Sequence, residues 1–137
     1  MKNIFLFLLF FATISCTTTS ENPEAPQNII NNIELVFTTT EPNNDEIMIT
    51  YYDIAKADNV SGPHQFIYDN DGKPLPLILK FDDYKYKFLD GEAFRNNFST
   101  SELRVQIFVN GELLVERFDR GTSTTFATLD ISFRILN

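Results

Sequence analysis

From Ile33 onward the apolar residues of this chain recur at every second position, and turn-forming Asn, Asp, Gly and Pro interrupt them after short runs. An extended backbone points successive side chains to opposite faces, so this period of two predicts strands with one apolar side. Ile33, Leu35 and Phe37 make one such face; Ile47, Ile49 and Tyr51 a second; Phe66 and Tyr68 a third; Leu77, Leu79 and Phe81 a fourth. Tyr84, Tyr86 and Phe88 alternate with Lys85 and Lys87, and Leu103, Val105, Ile107 and Val109 alternate with Glu102, Arg104 and Gln106. Leu129, Ile131, Phe133 and Ile135 close the series. Past the first apolar run, no stretch of helical length carries an i, i+3, i+4 stripe with caps, so there is no source for crossover helices and the sheets should be antiparallel.

Asn110-Gly111 lies between two apolar runs, and both central positions of a type I′ turn need the positive φ that Asn and Gly tolerate. Asp71-Gly72 is a second turn signal of the same kind. The expected fold is all-β: an antiparallel two-sheet sandwich of immunoglobulin-like type, with seven or eight short strands. No Trp and no Cys pair marks a true immunoglobulin domain.

The N-terminus follows a different rule. Lys2 precedes an unbroken apolar run from Ile4 to Ala12, then Thr13-Ile14-Ser15-Cys16, which is the charged, hydrophobic and small-residue layout of a secretory signal. Crossing the hydrocarbon of a bilayer takes about 20 apolar residues, and this run ends sooner in Thr and Ser. Thr13 to Cys16 resembles a bacterial lipobox, in which the Cys receives a diacylglyceryl group and becomes the new N-terminus, although Thr13 stands where leucine is usual. The expected organisation is a signal peptide over 1–15, a lipidated Cys16 with a polar tether over 16–28, and a β-sandwich domain over 29–137. Residues Thr17 to Asn28, with Pro23 and Pro26, have almost nothing to bury. As flexible chain they would hold the domain on the order of 20 Å from the lipid.

Composition narrows the functions. The 137 residues suit one domain, and aromatic content of 14% without any Trp favours pleated-sheet packing. A formal charge of −8 repels the phosphate backbone and argues against nucleic-acid binding. It also repels anionic membrane surfaces, so acyl chains, each CH₂ contributing about 0.8 kcal/mol, would do the anchoring. A single Cys permits no internal disulfide and no thiolate metal cluster.

Three segments, Ile47 to Asp53 (IMITYYD), Pro74 to Phe81 (PLPLILKF) and Leu103 to Glu116 (LRVQIFVNGELLVE), carry a resemblance. They resemble small β-sandwich lipoproteins of Bacteroidota-type bacteria and are distantly similar to the membrane protein small (MmpS) family, over about Ile47 to Phe118. The likeness implies a related sandwich and an accessory role beside a transporter of the resistance-nodulation-division type. That family has a transmembrane helix where this chain has Cys16.

Candidate chemistry is sparse. The one histidine, His64, follows Ser61-Gly62-Pro63 in an expected turn, without a second His or a Cys nearby, so a structural or exposed role outweighs a catalytic one. Asp69-Asn70-Asp71-Gly72 resembles the start of a calcium loop, yet Lys73 occupies the next ligand position and no Glu closes it, which favours a hairpin turn. Asn43, Asn44, Asp45 and Glu46, and the pair Asp82 and Asp83, are expected to be solvated turns. No catalytic, cofactor-binding or metal site is predicted.

The Asn110-Gly111 hairpin would pair Phe108 with Leu113 and Ile107 with Leu114. Val105, Ile107 and Leu114 would then face the core, leaving Phe108, Leu113 and Val115 beside Arg104 and Gln106 as a candidate interaction face. The expected function is a non-enzymatic accessory or protein-binding lipoprotein of the cell envelope, on the outer membrane facing periplasm or surface, with a transport complex as possible partner. The alternative is a cell-wall or glycan binder in which Tyr51, Tyr52, Tyr84 or Tyr86 stack on sugar rings.

Overall fold

The computed structural model describes residues 29–135, so the expected signal peptide, Cys16 and the expected tether lie outside the described residues. The described chain is all-β, an antiparallel sandwich of two four-stranded sheets with a small third pairing. β1 (Asn31–Thr39), β2 (Glu46–Asp53), β3 (Asp58–Gln65) and β4 (Leu77–Tyr84) are followed by the short β5 (Phe88–Leu89) and by β6 (Gly91–Arg95). β7 (Glu102–Val109) and β8 (Glu112–Arg120) form a hairpin, and β9 (Thr128–Asp130) and β10 (Phe133–Arg134) complete the chain. One sheet has the order β4-β1-β7-β8, the other β3-β2-β6-β9, and β10 pairs with β5.

Alternation along the strands builds one core between the sheets. Ile33, Leu35 and Phe37 of β1 and Leu103, Val105 and Ile107 of β7 meet Ile47 and Ile49 of β2, Ala93 of β6 and Leu129 of β9, all essentially out of water. Each such large aliphatic or aromatic side chain contributes about 1.5–3 kcal/mol through burial. The Asn110-Gly111 turn has φ of 52° and 83°, the two positive values its sequence predicts. Asn110 also accepts a hydrogen bond from the Asn32 N–H at 2.9 Å and donates to Asn31 Oδ1 at 2.9 Å, so the turn holds the start of β1.

Several local expectations are corrected. Residues 58–65, DNVSGPHQ, show no apolar alternation but form β3, paired along its length with β2. β3 is an edge strand, where Pro63 can sit without breaking a ladder on its open side. His64 therefore belongs to a strand opposite Ile47, not to a turn. Phe66 and Tyr68 make no strand; Tyr68 forms only an isolated bridge to Pro74 across the Asp71-Gly72 turn, where Gly72 has φ of 78°. The expected strand through Tyr84, Tyr86 and Phe88 is broken, because Asp83 takes φ of 54° and the chain leaves the sheet at Tyr84.

The β7–β8 register holds the most consequential difference. Phe108 does face Leu113, but a bulge follows, and Ile107 lies opposite Val115, not Leu114. The extra residue reverses the facing of everything beyond it. Leu114 is 46% exposed, and Val115 packs against the core.

The two ends of the sandwich differ. β1 enters at Asn31, opposite Tyr84 at the end of β4. The β7–β8 turn, the β2–β3 turn and the start of β6 lie at this entry pole. Strand directions place the loops over 40–45, 96–101 and 121–127 at the far pole, roughly 30 Å away for a nine-residue strand.

Candidate functional site

At the far pole the chain closes around a buried ion pair. Arg95 ends β6 on the same face as Ala93, and its guanidinium is enclosed by the sandwich. Its Nε donates to Asp45 Oδ1 at 2.9 Å and its Nη2 to Asp45 Oδ2 at 3.0 Å. The same group donates to Thr39 Oγ1 at 2.9 Å and, through Nη1, to the Ser101 carbonyl at 2.6 Å. The Asp45 N–H donates to the Tyr68 hydroxyl at 3.2 Å, which donates to the Glu41 carbonyl at 3.0 Å, and Glu41 accepts from the Ser99 hydroxyl. Burial pushes the Tyr68 phenol above its ordinary value. Asp45 is thus no solvated turn residue. With all three nitrogens of the guanidinium engaged by the end of β1 and by the loops over 40–45 and 96–101, the network is a staple.

Above it stands an uncharged aromatic patch. Phe98 and Phe126 stack with ring centroids 4.6 Å apart and planes 9° from parallel, while Phe94 leans on Phe126 at 6.1 Å. Phe98 is 56% and Phe126 43% exposed. Their loops, 96–101 and 121–127, contain no charged residue. The loops are built to shape: a Cβ on Gly121 would lie 2.6 Å from the Ser99 carbonyl oxygen, and the Thr122 hydroxyl accepts from the N–H groups of Thr124 and Thr125.

The candidate interaction face is redrawn by the bulge. Phe108 is half-buried and Leu113 exposed on the outer side of the β4-β1-β7-β8 sheet, whereas Val115 has turned inward. Ion pairs interleave the apolar groups here. Arg104 reaches Glu102 at 2.7 Å and Glu116 at 2.6 Å and lies over the Phe118 ring at 5.2 Å, and Lys80 meets Glu34 at 2.6 Å. Hydrogen bonds from Arg104 first, then from Arg120, hold the Glu102 carboxyl below its usual range, and Arg104 does the same for Glu116.

The entry pole gathers the four tyrosines that the sequence singled out. Tyr51 and Tyr52 line both of two adjoining clefts, of about 390 Å³ and 380 Å³. Tyr84 and Tyr86 wall the second with Phe81, and Asn59, Asp90, Glu92 and Ser132 line the first. Phe81 receives Tyr51 edge-on at 5.0 Å and Tyr84 at 6.1 Å, and Tyr86 meets Tyr84 at 5.6 Å. The Tyr84 hydroxyl donates to the Phe88 carbonyl at 2.6 Å, and burial drives that phenol well above its ordinary value.

His64 sits apart from these clefts on β3. In the calcium-like loop, Asp69 accepts the N–H groups of Asp71 and Lys73 at 3.0 and 2.8 Å, as in an Asx turn. Among the described residues no group of three His, Cys, Asp or Glu is placed to hold a metal, and no helix is long and apolar enough to cross a membrane.

Compared with known proteins, the chain matches no family model and no curated sequence. Sequence reasoning missed the Arg95–Asp45 pair and the phenylalanine patch. The signal for the first was Arg95 itself, two residues beyond Ala93 and hence on the inward face of a strand. The second left no local signal, since Phe98 and Phe126 lie 28 positions apart in two polar loops.

Proposed function

We propose that this protein is a lipid-anchored, non-enzymatic binding module of the bacterial cell envelope that engages a protein partner through its far pole. The Phe98–Phe126 stack carries the reading. Two phenylalanine rings stacked face to face and about half exposed to water, at the end of the sandwich away from chain entry, gain the burial they lack only when another surface covers them. The neutrality of their loops supports it as well, because neither loop, over 96–101 or 121–127, contributes any of the charge that gives the chain its −8. An anchor on Cys16 would attach at the opposite pole, through a tether of about a dozen residues, and leave the stack pointing away from the membrane. The resemblance to accessory lipoproteins makes an envelope transport complex the kind of partner expected.

Crosslinking in intact cells followed by affinity purification and mass spectrometry tests this with the full chain. Wild type should enrich one envelope complex, and both Cys16→Ala and the pair Phe98→Ser with Phe126→Ser should lose it. Equal enrichment by all three proteins, or none by wild type, overturns the reading.

A further inference from the structure

The two entry-pole clefts meet at Tyr51 and Tyr52 and divide their chemistry between them. The second is walled by rings and by the β2–β3 turn, with Asp82, Asp83 and Lys85 also in its lining, while the first is polar, with Thr50, Asn59, Asp90, Glu92 and Ser132 around its rim. We infer that together they form a binding site for a short oligosaccharide that is uncharged or carries amines, a function separate from the partner surface at the far pole.

Size agrees first. Each cleft is within the range of small-molecule sites, about 300–1,000 Å³, and the two share Tyr51 and Tyr52. Ring chemistry agrees next. One face of a pyranose is a set of C–H bonds carrying slight positive charge, which packs on the negative face of an aromatic ring, and a protonated amine does so more strongly. Tyrosine offers such a face together with a hydroxyl that bonds to the sugar's edge.

The walls are already ordered. The edge-to-face contacts from Tyr51 through Phe81 and Tyr84 to Tyr86, with the Tyr84 hydroxyl fastened to the Phe88 carbonyl, leave little side-chain freedom to be lost on binding. Behind the polar cleft the strands are pressed close, since a Cβ on Gly91 would fall 2.6 Å from the Thr50 carbonyl oxygen. The Ser132 hydroxyl donates to Asp90 at 2.9 Å and accepts from the Gly91 N–H at 3.1 Å, fixing the Asp90 carboxylate at the rim.

Charge then selects among saccharides. Asp90, Glu92 and Asp130 line the polar cleft without a lining Lys, Arg or His; Arg117 reaches Asp130 at 3.5 Å from β8. The Glu92 carboxylate and the Asn59 side-chain amide have no hydrogen-bond or ion-pair partner among the described residues, so both remain to bond to hydroxyls or an amine. Uronates and sulfated or phosphorylated sugars would meet like charge there.

The test uses the full-length protein in detergent on an array of neutral, amine-bearing and uronate oligosaccharides, followed by calorimetric titration of the ligands found. Tyr52 and Tyr86 are outside the packed core, so Tyr52→Ala and Tyr86→Ala should keep the wild-type melting profile. Each should weaken binding about tenfold, the loss of one stacked ring. Glu92→Gln should weaken amine-bearing ligands more than neutral ones, and uronates should stay unbound. Failure to bind any oligosaccharide, tight binding of uronates, undiminished binding in the folded tyrosine variants, or capture of a lysine-rich control peptide alone overturns the inference. Loss of the partner complex in cells would leave it standing, because the two sites occupy opposite poles.

Discussion

Arg95 and Asp45, fifty positions apart, form a two-point ion pair of 2.9 and 3.0 Å with neither side chain accessible to water. An isolated buried charge is far costlier than a satisfied pair, so the two residues depend on each other more than the fold depends on their sum. Asp45→Ala should cost about 3–5 kcal/mol in urea unfolding, because the guanidinium is left facing only hydroxyl and carbonyl oxygens. Arg95→Ala should cost a similar amount, and the double variant clearly less than the two losses added. Additive losses would show that the pair is not coupled.

The β7–β8 bulge makes a sharp distinction between neighbours. Ile107→Ala should destabilise by about 2–5 kcal/mol, as a buried aliphatic truncation. Leu114→Ser should stay within about 0.5 kcal/mol, as an exposed substitution. In an unbulged register Leu114 would face the core beside Ile107, and its replacement would be as costly; chemical denaturation of the two variants decides between the registers.

Gly91 and Gly62 give a matched contrast on the two strands, β6 and β3, that flank β2 in one sheet. Gly91→Ala places a methyl 2.6 Å from the Thr50 carbonyl oxygen and 3.1 Å from Ile131 Cδ1, and should cost about 1–3 kcal/mol. Gly62 has open space around it on the edge strand, and Gly62→Ala should leave the melting temperature unchanged or raise it slightly.

Acid should act first on the outer side of the β4-β1-β7-β8 sheet. Glu102 and Glu116 are held below their ordinary range by hydrogen bonds from Arg104, aided at Glu102 by Arg120. A carboxylate with a depressed folded-state pKa contributes stability above its unfolded value of about 4.3 and loses it as pH falls through the lower folded value. Unfolding midpoints should therefore hold steady from neutral pH to about 5 and decline below about 4, with a shallower decline in Arg104→Ala. Identical acid profiles for the two proteins would show that these pairs contribute nothing. Their exposure to water and salt keeps the effect modest.

Where one face of a strand is buried, the sequence was legible: β1, β2, β4 and β7 follow their apolar alternation, and the Asn110-Gly111 turn follows from its backbone requirement. β3 was hidden because an edge strand pairs through backbone groups alone and tolerates Gly62 and Pro63. Leu114 was misplaced because a bulge is a choice between two registers that the hydrophobicity of Leu113, Leu114 and Val115 leaves undetermined. At the sites, the four tyrosines could be suspected individually, but their meeting at one pole depends on how β2 of one sheet stands over the end of β4 in the other. Asp45 looked like solvent because its partner lies fifty residues downstream.

A lipid anchor on Cys16 is the central element of the proposed function, and the N-terminal peptide of the mature chain tests it directly. Mass spectrometry of that peptide, with detergent phase partition of wild type and Cys16→Ala, should find acyl mass on Cys16 and wild type in the detergent phase, with the variant unacylated. An unmodified Cys16 in a mature protein that partitions into water would contradict the account.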